Sequence, residues 1–111
     1  MSASQRNKGA EGEREVCRLI LDNLGIKVGR NLDQWRDGGY DIPLGPFLLE
    51  VKRRKQMAFY EWFHQIEAAC ASTGKQPVVF ARADGERWKV IIDAGLFFQL
   101  VREEVVGWQK E

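Results

Sequence analysis

Gly39-Tyr40-Asp41-Ile42-Pro43-Leu44-Gly45-Pro46-Phe47-Leu48-Leu49-Glu50-Val51-Lys52-Arg53-Arg54-Lys55 reads as two strands around a tight turn, with charge in a second strand that is otherwise apolar. Tyr40–Ile42 forms the first strand, Pro43-Leu44-Gly45-Pro46 the turn and Phe47–Arg54 the second strand. A four-residue loop pairs Ile42 with Phe47 and Asp41 with Leu48. Side chains alternate along a strand, so Asp41, Leu48, Glu50 and Lys52 share one face and Phe47, Leu49 and Val51 take the other. Asp41 and Glu50 become diagonal neighbours, roughly 7–8 Å apart and within reach of one cation. An ionised carboxylate in an apolar strand is costly, and two sharing a site repel. A divalent cation compensates both, and beside Lys52 it is equipment for attacking a phosphodiester. Taken alone, Glu50 and Lys52 read more simply as a solvated ion pair on an edge strand.

Upstream, residues 9–24 have helical periodicity and end at Gly25, a C-terminal stop. At 100° per residue Val16, Cys17, Ile20 and Leu24 form the apolar face, with Glu11, Glu15, Arg18 and Asp22 opposite. Glu13 falls on the buried side, three and four residues before Val16 and Cys17. That phase separates it from Glu11 and Glu15. The simpler role for Glu13 is a carboxylate interacting with the helix dipole. Residues 1–7 read as a frayed tail and 8–111 as one domain.

Residues 26–32 suggest a first strand weakened by Gly29, followed by the loop Asp33-Gln34-Trp35-Arg36-Asp37-Gly38-Gly39. Downstream, residues 58–73 form a helix with Trp62, Ile66, Ala69 and Thr73 on its apolar face and Gly74 as its stop. Pro77–Ala83 and Trp88–Ile92 are strands joined by an Asp84-Gly85 turn, and residues 94–105 form a last helix. The order α-β-β-β-α-β-β-α predicts an α/β fold, a mixed sheet flanked by helices.

The chain of 111 residues carries a net charge of +1, with 44% hydrophobic and 30% charged residues, the balance of a globular domain. Charge distribution says more than net charge. Lys27, Arg30, Arg36, Lys52, Arg53, Arg54 and Lys55 outnumber Asp33, Asp37, Asp41 and Glu50 in the middle of the chain, which becomes basic once the acids surround a metal. No apolar run reaches the length of a membrane span and the N-terminus has no secretory signal, so a cytoplasmic location is expected, or the host-cell cytoplasm for a viral protein. Cys17 and Cys70 lack a CxxC or histidine context and read as free, buried thiols. His64, the single histidine, lies off the apolar stripe and reads as a surface residue; Phe59, Trp62 and Phe63 read as core.

Asp41…Glu50-Val51-Lys52 behind a helix with an inward glutamate resembles the PD-(D/E)xK nuclease superfamily. Lys8-Gly9-Ala10-Glu11-Gly12-Glu13-Arg14-Glu15 further resembles the KGxxxERE opening of Holliday-junction resolvases, and it selects the same Glu13 that helix phase selects. The resemblance covers about residues 8–83. It implies a restriction-endonuclease-like α-β-β-β-α-β core and a DNA endonuclease acting on Holliday junctions or other branched DNA. Asp41, Glu50 and the Val51 carbonyl are then metal ligands, with Glu13 completing the site directly or through a metal-bound water. Lys52 orients the attacking water. Oxygen ligands of this kind suit Mg²⁺ or Mn²⁺. Arg14, Arg30, Arg36, Arg53, Arg54 and Lys55 are placed to meet DNA phosphates, and Gln65 to look into the site from the second long helix. A homodimer is implied, because a four-way junction needs paired symmetric cuts. Asp37 is the alternative ligand to Asp41, separated from the strand by Gly38-Gly39. Two other functions stay open at this level: a different nuclease of the superfamily acting in repair or replication, and a non-catalytic DNA-binding module.

Overall fold

The computed structural model describes residues 3–33 and 39–108. Its elements are α1 (Ala3–Leu24), β1 (Ile42–Leu44), β2 (Phe47–Arg53), α2 (Phe59–Cys70), β3 (Gln76–Arg82), β4 (Lys89–Ile91) and α3 (Ala94–Trp108). The strands form one mixed sheet in the order β1-β2-β3-β4. β1 and β2 are an antiparallel hairpin, β2 and β3 run parallel, and β3 and β4 are again antiparallel. Parallel neighbours need a crossover, and α2 provides it.

Alternation along β2 splits the core between the two faces of the sheet. Leu49 and Val51 pack with Val16 and Ile20 of α1, Ile42, Val78 and Leu96 of α3. Leu48 packs on the opposite face with Trp62, Ile66 and Cys70 of α2, together with Val79 and Ala81. Trp62, Ile66 and Cys70 recur every four residues and give α2 one buried stripe. The chain is thus α/β, with a four-stranded mixed sheet covered by helices on both faces. Among the described residues no helix is long and apolar enough to cross a membrane.

Four expectations need correction. The β1–β2 turn is tighter than a four-residue loop, because Leu44 pairs with Phe47 and Ile42 with Leu49. Gly45, at φ +53°, takes the left-handed conformation that so short a connection requires. The register is displaced by two residues, an even number, so every side chain keeps its expected face. Residues 26–31 form no strand: Asn31 donates one backbone bond to the Asp41 carbonyl (2.7 Å) and its side-chain amide caps the Tyr40 carbonyl (3.0 Å). One backbone bond is not a ladder. The supposed tail is helical from Ala3, since Lys8 pairs with Asp84 and Arg6, Gly9 and Ala10 line a cavity, and tertiary contacts of this kind hold helices that propensity alone does not. Leu24, expected on the apolar face, is 59% exposed, because the buried stripe of α1 ends at Ile20.

Gly12 explains how α1 lies so close to the sheet. A Cβ at this position would meet the Arg53 Cβ at 3.4 Å, the Trp88 ring at 3.5 Å and Val51 Cγ1 at 3.7 Å. Gly25 (φ +68°) and Gly74 (φ +72°) follow α1 and the turn after α2 as the expected stops. Cys17 and Cys70 are free thiols, and burial raises the pKa of each, which keeps them protonated and unreactive.

Candidate active site

β1 begins only at Ile42, so among the described residues β2 beyond Leu49 has no strand beside it on that edge. The Asp41 side chain fills part of the gap: its Oδ2 accepts the Val51 backbone N–H at 2.7 Å. A side-chain carboxylate thus takes the place of a ladder carbonyl, which fixes its direction and keeps it buried at 4% exposure. Glu50, the residue before Val51, is 5% exposed. Its carboxyl meets that of Asp41 in a hydrogen-bonding contact, and Lys52 Nζ stands 3.6 Å from its Oε1. Glu13, the residue after Gly12 where α1 lies against the sheet, is 9% exposed and pairs with Arg30 Nε at 2.9 Å.

These groups line one open cavity of about 270 Å³, with Glu13, Arg30, Asp41, Glu50, Val51 and Lys52 in its wall. The sequence expectation that Glu13, Asp41, Glu50 and Lys52 converge is therefore met in space. Arg6, Gly9, Ala10 and Arg54 complete the wall. Arg6 had not been singled out. It lies seven residues before Glu13, two helical turns, so the phase that selected Glu13 also marks Arg6 once the helix extends that far.

Burial is the main force on both glutamates. It pushes the Glu50 carboxyl up to about 8, reinforced by the hydrogen bond to Asp41 and by that carboxylate's charge, and only partly opposed by Lys52. Glu13 is raised from its ordinary value by burial and by the charge of Asp41, against the hydrogen bond and charge of Arg30. Burial and the neighbouring Asp41 carboxylate both favour the protonated form of Glu50. A hard divalent cation would replace that proton, and the donor set (two buried carboxylates beside a strand carbonyl) fits Mg²⁺ or Mn²⁺ rather than a soft metal. Among the described residues no three His, Cys, Asp or Glu side chains are gathered closely enough to enclose a metal ion. Glu13 is engaged by Arg30, so its place in a ligand set is as an outer partner rather than a third direct ligand in this arrangement.

The basic residues divide sharply. Arg54 lines the cavity, and among the described residues its guanidinium donates only to the Arg53 carbonyl. Lys55 is exposed on the neighbouring cleft, and Arg14 is exposed outside the cavity. Arg53 is met by carboxylates instead: its guanidinium pairs with Asp84 (2.8 Å), Glu11 (3.0 Å) and Glu15 (3.5 Å), which offset its charge. Glu15 is a correction, since the expected solvated face holds a carboxylate gripped by Arg82 (2.7 Å) and by the Trp88 indole N–H (3.2 Å). No sequence signal links residue 15 to residues 53, 82 and 88; only the sheet brings them together. Gln65 is exposed and does not reach the cavity wall, because Trp62 and Ile66 set the buried stripe of α2 and turn position 65 outward. His64 is exposed, as expected. Arg36 and Asp37 lie outside the described residues. No family model, curated protein or solved structure matches this chain.

Proposed function

We propose that this protein is a metal-dependent endonuclease of the PD-(D/E)xK type that cuts branched DNA. The observation that carries the reading is the pair of buried carboxylates, Asp41 and Glu50, in contact with each other beside Lys52 in a solvent-open cavity. A fold selected for stability alone gains nothing from two adjacent buried acids supported by one lysine. The α/β sheet with a hairpin leading into the charged strand is compatible with a restriction-endonuclease-like core.

Asp41 and Glu50 would hold Mg²⁺ or Mn²⁺, which when bound polarises a phosphate and acidifies a water. Lys52, on the same strand face as Glu50, orients that water and stabilises negative charge developing on the phosphate. Val51 contributes from the backbone: its N–H holds Asp41 in place, while its carbonyl is the third oxygen the resemblance implies. Glu13 and Arg30 form the far wall, where Arg30 supplies a cation near the phosphate and opposes the burial that raises Glu13. Arg54 at the rim meets the flanking backbone. A four-way junction and a two-fold dimer are the first substrate and assembly to examine.

The test is a cleavage panel with Mg²⁺ on four-way, flap, single-stranded and linear duplex DNA, repeated with Asp41→Asn, Glu50→Gln and Lys52→Ala. The expected result is Mg²⁺-dependent cutting of branched substrates that each variant loses while DNA binding survives. Full activity in EDTA, or equal activity in all three variants, refutes the proposal.

A further inference from the structure

A second basic feature lies outside the carboxylate cavity. Lys8, Arg18, Arg30, Lys52, Arg53 and Arg82 each face a carboxylate. Among the described residues several cations pair with none, Arg14, Lys27, Arg54, Lys75 and Arg102 among them. Three more, the exposed Lys55, Arg87 and Lys89, lie along one path. Arg54 lines the carboxylate cavity, and Lys55, the next residue, lines a cleft of about 280 Å³ with Lys8, Ala83 and Asp84. Ala83 also borders a groove of about 200 Å³ whose floor is Met57, Phe59, Ala81 and Ile91 and whose rim carries Arg87 and Lys89. Two acids touch this path besides the cavity's own. Asp84 is neutralised by Lys8 and Arg53, whose hydrogen bonds hold its carboxyl below the ordinary range, and Glu86 stands on the rim.

We infer that this groove receives an unpaired DNA strand running from the Asp41–Glu50 cavity past Lys55 to Phe59, with Arg87 and Lys89 on its phosphates. The inference rests on the proposed nuclease reading for the chemistry at its start and names the substrate class: a branch with a single-stranded arm. An apolar floor with a cationic rim matches the two surfaces of an unpaired strand, base faces and phosphates. A duplex hides its base faces and would use the rim alone. Phe59 is 46% exposed, and its ring meets Trp62 edge-on at 6.3 Å, so its outer face is held ready for stacking. Arg87 and Lys89 belong to the β3–β4 hairpin, distant in sequence from every residue of the nuclease motif.

The experiment measures binding of the full-length chain to a labelled oligothymidylate and to a blunt duplex, in EDTA, across a salt series. The double variant Arg87→Ala/Lys89→Ala should weaken oligothymidylate binding and lower its log–log salt slope by about 1.4, two lost phosphate contacts on a single strand. Phe59→Ala should weaken it by about ten-fold, and Phe59→Tyr should restore it, which separates stacking from misfolding. Blunt-duplex binding should change much less in both. Oligothymidylate binding unaltered by both changes, or an equal loss on duplex, overturns the groove. Cleavage by the wild type with unaltered oligothymidylate binding in the variants refutes the groove alone. Variant-sensitive binding in a protein that cuts nothing with Mg²⁺ refutes the catalytic reading alone.

Discussion

Glu13 and Glu15 stand two residues apart on one helix and end in opposite electrostatic situations. Glu15 meets Arg82 through both carboxylate oxygens, with Trp88 and Arg53 adding donors. Around it Arg53 also joins Glu11 and Asp84, and Lys8 closes the chain of pairs. Every carboxylate there has a cation. Glu13 faces a cavity where Lys52 stands 3.6 Å from Glu50, and where burial and the Asp41 carboxylate outweigh that lysine and favour a proton on Glu50. The compensated cluster fastens α1 to the ends of β2 and β3. The undercompensated one is unfavourable as a structural element and suited to hold a divalent cation. Completeness of charge pairing distinguishes the two more clearly than residue type does.

The largest expected effect falls on the incomplete cluster. Glu50→Gln and Asp41→Asn should each lower Mg²⁺-dependent cleavage by about 10²–10³-fold or more, read in single-turnover assays. In the complete cluster Arg82→Met removes the two-pronged partner of Glu15 and should cost about 2 kcal/mol in urea unfolding, with little change in the Mg²⁺ concentration for half-maximal cutting. A comparable loss of catalysis from Arg82→Met would erase the distinction.

Stability against pH offers a second way to test the contrast. Glu50 holds its proton more tightly in the folded chain than in the unfolded one, so the unfolded chain releases that proton first as pH rises. Metal-free stability should fall between the ordinary carboxylate range and about 8, and Mg²⁺ should flatten the decline. Glu50→Gln should remove the decline and stabilise the metal-free protein at alkaline pH by on the order of 2 kcal/mol. Thermal melts with and without Mg²⁺ decide this, and a wild-type profile that rises over the same interval contradicts a proton held on Glu50.

The smallest effects belong to the residues whose charge is already met. Arg53→Ala should leave the salt slope of DNA binding unchanged, whereas Arg54→Ala should lower it by about 0.7–0.9, one phosphate contact. A lower slope for Arg53→Ala would return that residue to the DNA surface.

Much of the site was legible before any coordinates. Helix phase chose Glu13 over Glu11 and Glu15 because 100° per residue puts them on different sides of α1. Strand alternation put Asp41, Glu50 and Lys52 together, and it survived a wrong register because the displacement was two residues. Gly25 and Gly74 marked the stops as expected. The strand expected at 26–32 failed because apolar alternation does not say whether a neighbour exists to complete a ladder, and there Asn31 makes a single backbone bond to Asp41 and a side-chain bond to Tyr40.

The sequence by itself determined which residues face inward, since periodicity is a local property of helices and strands. It therefore determined that three acids and a lysine could meet. Only the tertiary structure decided which charges are compensated. Arg53 looked like part of a basic run, yet it is occupied by Glu11, Glu15 and Asp84, while Arg87 and Lys89, unremarkable in sequence, line the groove beside Phe59. Pairing of charges depends on distances between residues tens of positions apart, and those distances exist only once the sheet has formed.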